Sequence, residues 1–285
     1  MRLSLYDAAF AALAQIAGER TRRAISYLSL FGGLASTAFW PLSHALSANF
    51  GWHATFLIYA AFHLVICLPI HLTVLADAPL SAPESASGAP SDATAPLAGR
   101  ERRIAMAMFA TVLALNGVVF SAISAHVVPL FEGLGFGGAM AVTFAALIGP
   151  SQVASRVGEI LLGGKLRPTQ LGLIAFGLLP LALALFAAGG FTPVAALVFA
   201  LFYGMSNGLV TIAKGAVPLA LFGSRGYGLV LGTLAAPNLV LNALAPTLFA
   251  IVLERSSAPT GLLIGLLFAG LSAAAMVVLA RRYPR

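Results

Sequence analysis

Residues 76–103, ADAPLSAPESASGAPSDATAPLAGRERR, form the one long stretch of this chain composed for water. Pro79, Pro83, Pro90 and Pro96 stand among Ala, Ser, Asp and Glu with no aromatic residue. Such a composition cannot build a packed core and reads as a flexible linker, closed by the basic group Arg100, Arg102 and Arg103. On both sides the sequence turns apolar. Of 285 residues, 60% are hydrophobic and 9% charged, and the mean hydropathy is +0.96. Too little polar surface remains to solvate a globule, so the fold class is all-α and polytopic in a lipid bilayer.

A crossing needs about 20 largely apolar residues. Candidates lie at 25–48, 52–75, 104–128, 140–162, 169–188, 193–213, 227–253 and 261–280, with a shorter one at 3–17, about nine in all. Basic residues alternate between the loops: Arg20, Arg22 and Arg23, then none; Arg100, Arg102 and Arg103, then none; Lys165 and Arg167, then none. Lys214 and Arg225 follow, then the lone Arg255, then Arg281, Arg282 and Arg285. By the positive-inside rule, the linker, the basic loops and the C-terminus are cytoplasmic, in an inner or plasma membrane. The same clustering explains the pI near 10.2 as topology, with no nucleic-acid partner implied. The opening Met1-Arg2 and its apolar sequel have the look of a signal peptide, but a carboxylate at Asp7 costs about 3 kcal/mol on insertion scales and argues for a short span.

A shift of 205 positions lays the first part of the chain on the last. Gly18-Glu19-Arg20 falls on Gly223-Ser224-Arg225, Pro41 falls on Pro246 without a gap, and Leu75 falls on Ala280. Residues 1–75 therefore repeat the last three spans of a six-helix unit formed by residues 104–285, and three preceding spans are expected to be missing. Two parallel six-helix repeats joined by a cytoplasmic linker resemble the major facilitator superfamily of secondary transporters. The resemblance implies that 1–75 is a partial N-terminal bundle similar to that family's helices four to six, and that 104–285 is similar to helices seven to twelve. The loop Gly163-Gly164-Lys165-Leu166-Arg167-Pro168 is similar to the family's weaker loop motif between helices eight and nine.

Polar groups inside the spans are the candidate site, because lipid tolerates them only where they face a partner or a watery cavity. Gln152, Arg156 and Glu159 share a helical face. Arg156 offers a bidentate cation to an anionic solute, or joins Glu159 or a neighbouring helix as a gate. The monocarboxylate-porter branch is similar in carrying an Arg here, with an acidic residue where this chain has Gln152. Tyr203, Asn207, Thr211 and Lys214 form a second stripe, on the span that the resemblance makes a cavity-lining tenth helix; hydrogen bonding between helices is the alternative role. Gly204 and Gly208 beside it read as a packing groove. Asn238 and Asn242 precede Pro246, which removes a backbone donor, and Asn116 with Ser124 marks another inward face. Substrate contact is thus expected at Arg156, Gln152, Tyr203, Asn207, Asn238, Asn242 and Asn116.

Coupling or gating is expected at Asp7, Glu159 and Lys214, with His44, His63 and His126 as further titratable groups. The single Cys67 makes no disulfide and no metal site, and no phosphate loop or nucleophile motif stands out, so neither cofactor, metal nor enzyme is expected. The sequence reading is a secondary transporter moving a small solute, an anion first among candidates, by alternating access with proton coupling. Its alternative is a truncated membrane protein without transport, or one part of a split transporter closed by a partner chain.

Overall fold

The computed structural model describes residues 6–77, 96–162 and 165–285, and every regular element among them is a helix. The middle of the expected linker (78–95), the first residues of the chain and Gly163-Gly164 lie outside the described residues. In chain order the elements are α1 (Tyr6–Ile16), α2 (Thr21–Phe62), α3 (Leu68–Asp77), α4 (Gly99–Gly133), α5 (Gly138–Leu161), α6 (Pro168–Ala188), α7 (Pro193–Phe222), α8 (Tyr227–Arg255) and α9 (Ala258–Arg282). A 3-10 turn, Gly18–Arg20, joins α1 to α2, and a π-helical turn, His63–Cys67, joins α2 to α3.

Local chemistry sets these ends. Pro168 and Pro193 open α6 and α7, where the missing N–H costs nothing. Thr192 accepts from the Ala195 amide at 3.4 Å and Ser257 from Thr260 at 3.3 Å, capping α7 and α9. Gly223, with φ 75°, ends α7 in a conformation that side chains resist.

Seven segments among the described residues are long and apolar enough to cross a membrane: Ala45–Thr73 and the helices α4 to α9. Of the expected span at 3–17, residues 3–5 lie outside the described residues, and the 11 described residues of α1 are about half of a crossing. The expected span at 25–48 is not among the seven, its apolar content being diluted by Ser26, Ser29, Gly32, Gly33, Ser36 and Thr37. α2 is nonetheless interrupted where the two expected spans were divided, at Gly51 (φ 76°, ψ 165°). The Phe39 ring lies 6.1 Å from Tyr59 and 6.3 Å from Phe62, and the Ser43 and Tyr59 hydroxyls are 2.6 Å apart. Twenty residues of straight helix would hold those groups about 30 Å apart, so the chain folds back at Gly51 into a hairpin.

The chain divides into two compact units, Leu34–Ala95 and the combination of Met1–Gly33 with Pro96–Arg285. The smaller is the hairpin with α3, and its Phe56, Leu57, Leu64 and Val65 are exposed. In the larger, α7 packs on α5 and α6, and α4 on α8 and α9, while α6 also meets α9. One apolar core gathers Phe10, Ile25, Phe109, Phe176, Leu221 and Tyr227, and a second, aromatic one gathers Phe131, Phe136, Phe144, Phe186, Phe199 and Tyr203.

The 205-residue shift also aligns helix ends. Gly18 and Gly223 both take positive φ, at 52° and 75°. Thr21 opens α2 as Tyr227 opens α8, one position out of register. The turn at Gly51 falls on Ser256, the residue that ends α8.

Candidate functional site

A cavity of about 340 Å³ lies among α1, α4, α7 and α8, within the larger unit. Asn116, Asn207, Lys214, Asn238 and Asn242 line it, together with Tyr6, Gly117, Ser121, Ser124 and Thr211. These asparagines stand near the middles of α4, α7 and α8, the depth at which transporters hold their solutes.

At one edge the cavity carries a charge pair. Lys214 Nζ lies 2.8 Å from Asp7 Oδ1 and donates to Oδ2 at 3.1 Å, with each side chain a quarter exposed. The pair forms because α1 is pressed onto α7 at Gly215, where an added Cβ would meet the Phe10 ring at 3.0 Å and Ile25 at 3.2 Å. From α8, the Tyr227 hydroxyl donates to the Gly215 carbonyl at 2.6 Å and fixes the same turn. Asp7 also borders a smaller cavity of about 180 Å³, lined by Ala8, Ala11, Gly228 and Leu231.

The opposite wall is built of amides. Pro246 cannot donate to the carbonyl four residues earlier, that of Asn242, and the Ser121 hydroxyl takes it instead at 2.7 Å. This ties α8 to α4 beside Gly117, where an added Cβ would stand 2.2 Å from Asn238 Oδ1 and 2.5 Å from Asn242 Oδ1. Asn116 Nδ2, Asn238 Oδ1 and Asn242 Oδ1 are all buried, with no hydrogen-bond partner among the described residues.

The remaining candidates stand back from the cavity. Tyr203 is buried behind it, its hydroxyl 2.9 Å from Ser124 Oγ and donating to Phe120 O at 3.2 Å, so it braces the wall. Arg156 is 4% exposed and reaches the cavity only through Thr211, whose hydroxyl is 3.4 Å from Nη2; its Nε is 3.5 Å from Gly208 O. Gln152 lends its backbone to α7, lying 2.5 Å from where a Gly208 Cβ would be, and the Gly204 position is as close to Ile148 O. Glu159 is salt-bridged to Arg22 of α2 at 3.5 Å. Its expected alternative partner, Arg156, points instead at Gly33, where an added Cβ would be 1.8 Å from Nη1. Of the histidines, His63 is exposed, His126 Nδ1 lies 3.0 Å from Ala122 O, and the His44 side chain lies outside the described residues.

Sequence reasoning passed over Gly117 and the Gly32-Gly33 pair. An added Cβ on Gly32 would meet the Tyr6 hydroxyl at 2.2 Å, so the pair seats both Tyr6 and Arg156 against the α2 backbone. Adjacent glycines inside a span were the available signal.

The model of the Major Facilitator Superfamily matches residues 4–237, a stretch that includes α1, α7, Asp7 and Lys214. The chain belongs to that superfamily. Comparison with curated proteins gives no match. Membership in the superfamily makes this a multi-pass membrane transporter, and the cavity on α4, α7 and α8 its candidate solute site.

Proposed function

We propose that this transporter moves a small organic anion together with a proton, and that Lys214 alternates between Asp7 and the solute. The observation that carries this reading is the Lys214–Asp7 pair at the cavity edge. With Asp7 ionised, the ammonium is neutralised and an anion gains little by entering. Protonation of Asp7 removes the partner and leaves a cation facing the cavity, which favours an anionic solute there. The linkage is reciprocal: solute and proton each favour the other's binding. Among the described residues, Lys214 on α7 and Tyr227 on α8 face Asp7.

In this reading residues 1–75 and 104–285 act as the two bundles of alternating access, with the 76–103 linker and the C-terminus cytoplasmic. Arg156, Glu159 and Arg22 then serve the gate, and Asn116, Asn207, Asn238 and Asn242 the solute.

The test is uptake of labelled lactate and glycerate by liposomes containing the purified chain, against protein-free liposomes, with and without an inward proton gradient. Gradient-driven accumulation of either is expected, and Asp7→Asn should abolish its dependence on the gradient. Uptake of neither, or uptake of equal size with and without the gradient, overturns the reading.

A further inference from the structure

We propose that the solute carries hydroxyl groups beside its anionic group, and that Asn116, Asn238 and Asn242 read them. This rests on the assignment of Lys214 as the anion site. Three amide atoms on one wall are buried without partners, one a donor and two acceptors. Buried polar atoms left in this state are destabilising, and helix packing alone would favour leucine at the same positions. The two acceptor oxygens flank one point, the Cβ position that Gly117 lacks, at 2.2 Å and 2.5 Å, so they stand less than about 5 Å apart and a single donor group between them can reach both. Glycine at 117 keeps that point open.

The donor-acceptor set selects the ligand chemistry. Each amide carries a donor and an acceptor, so a hydroxyl, which both donates and accepts, pairs with either amide orientation, whereas an ammonium accepts nothing and would leave an amide N–H unpaired. A methyl group would leave all three unpaired. The volume, about 340 Å³, stands at the small end of ligand pockets, which run to roughly 300–1,000 Å³. A short hydroxylated carboxylate fits, with its carboxylate toward Lys214 and its hydroxyls toward the amide wall.

Calorimetric binding to the purified full chain tests this with glycerate, lactate and 3-hydroxybutyrate against their counterparts bearing methyl in place of hydroxyl. The hydroxylated member of at least one pair should bind about tenfold tighter or more. Asn238→Leu with Asn242→Leu should erase that preference. Because the double variant can fail to fold, Gly117→Ala supplies a second arm: its Cβ occupies the shared point and should reduce the same preference. Equal or tighter binding of the methyl compounds throughout overturns the inference and leaves the anion reading standing. Binding of none of the six overturns the anion reading and this inference with it.

Discussion

Lys214 Nζ sits 2.8 Å from Asp7 Oδ1, joining residues 207 positions apart and fastening the short helix α1 to the last third of a long apolar one. Neither charge has a place in lipid alone, so the pair is what lets both lie at the cavity edge. Its lysine faces the solute cavity and its carboxylate faces a second, apolar one.

Removing one partner should destabilise more than removing both. Breaking a fully buried pair costs about 3–5 kcal/mol, and with each side chain a quarter exposed the expected loss for Asp7→Asn or Lys214→Met is about 1–2 kcal/mol. The double variant should recover most of that in thermal denaturation while lacking any gradient-driven uptake. Losses that simply add would show that the two groups act independently.

Gly33→Ala should change sign with its neighbour. Alanine gains about 1 kcal/mol over glycine in a helix, but here its Cβ would lie 1.8 Å from Arg156 Nη1, and the guanidinium is buried. Destabilisation is expected in the native chain. In an Arg156→Gln background, where the fork is gone, the same substitution should stabilise, and a denaturation series on the four proteins would show it. The same sign in both backgrounds would mean that Arg156 moves aside freely.

Composition and loop charge were enough to read the helical membrane fold, because lipid leaves the backbone few alternatives. The 205-residue shift rested on Arg20 and Arg225, which stand just before α2 and α8, and on Pro41 and Pro246, which fall inside them. Asn116, Asn207, Asn238, Asn242 and Lys214 were found as inward-facing polar groups, and all five line one cavity. Arg156 and Tyr203 were read by the same logic, and their side chains stand behind the wall, against Gly208 O and Phe120 O. A one-dimensional pattern tells which residues avoid lipid, and it does not tell a cavity from a helix–helix seam. The tie between Asp7 and Lys214 joins opposite ends of the sequence, beyond the reach of any helical periodicity. Gly33 and Gly117 went unread because a glycine's role here is the space it leaves for another residue's side chain.

The α5–α7 seam depends on two small residues. A Cβ on Gly204 would stand 2.5 Å from Ile148 O, and one on Gly208 2.5 Å from Gln152 O, and backbone oxygens of a packed helix cannot yield as a side chain can. Each alanine substitution should therefore cost about 1–3 kcal/mol despite its better helix propensity. Gly232→Ala on α8, where nothing lies within 4 Å of the added carbon, is the matched control and should be neutral or stabilising. Thermal denaturation of the three variants compares them directly, and a control as damaging as Gly204→Ala would remove the packing explanation.

Two ion pairs should answer differently to salt. Glu101 and Arg282 meet at 3.0 Å with both side chains nearly half exposed, and the Tyr283 hydroxyl donates to the same carboxylate. Glu159, by contrast, is 5% exposed where Arg22 of α2 reaches it at 3.5 Å. Raising ionic strength from about 0.05 to about 0.5 M shortens the screening length severalfold and acts on exposed charges first. Glu101→Gln should therefore lower the denaturation temperature slightly at low salt and not at all at high salt. Glu159→Gln should cost about 1–2 kcal/mol at both, since the buried side of this pair is little screened by salt. A Glu159→Gln effect that vanishes in high salt would place that pair at the surface and remove it from the gate.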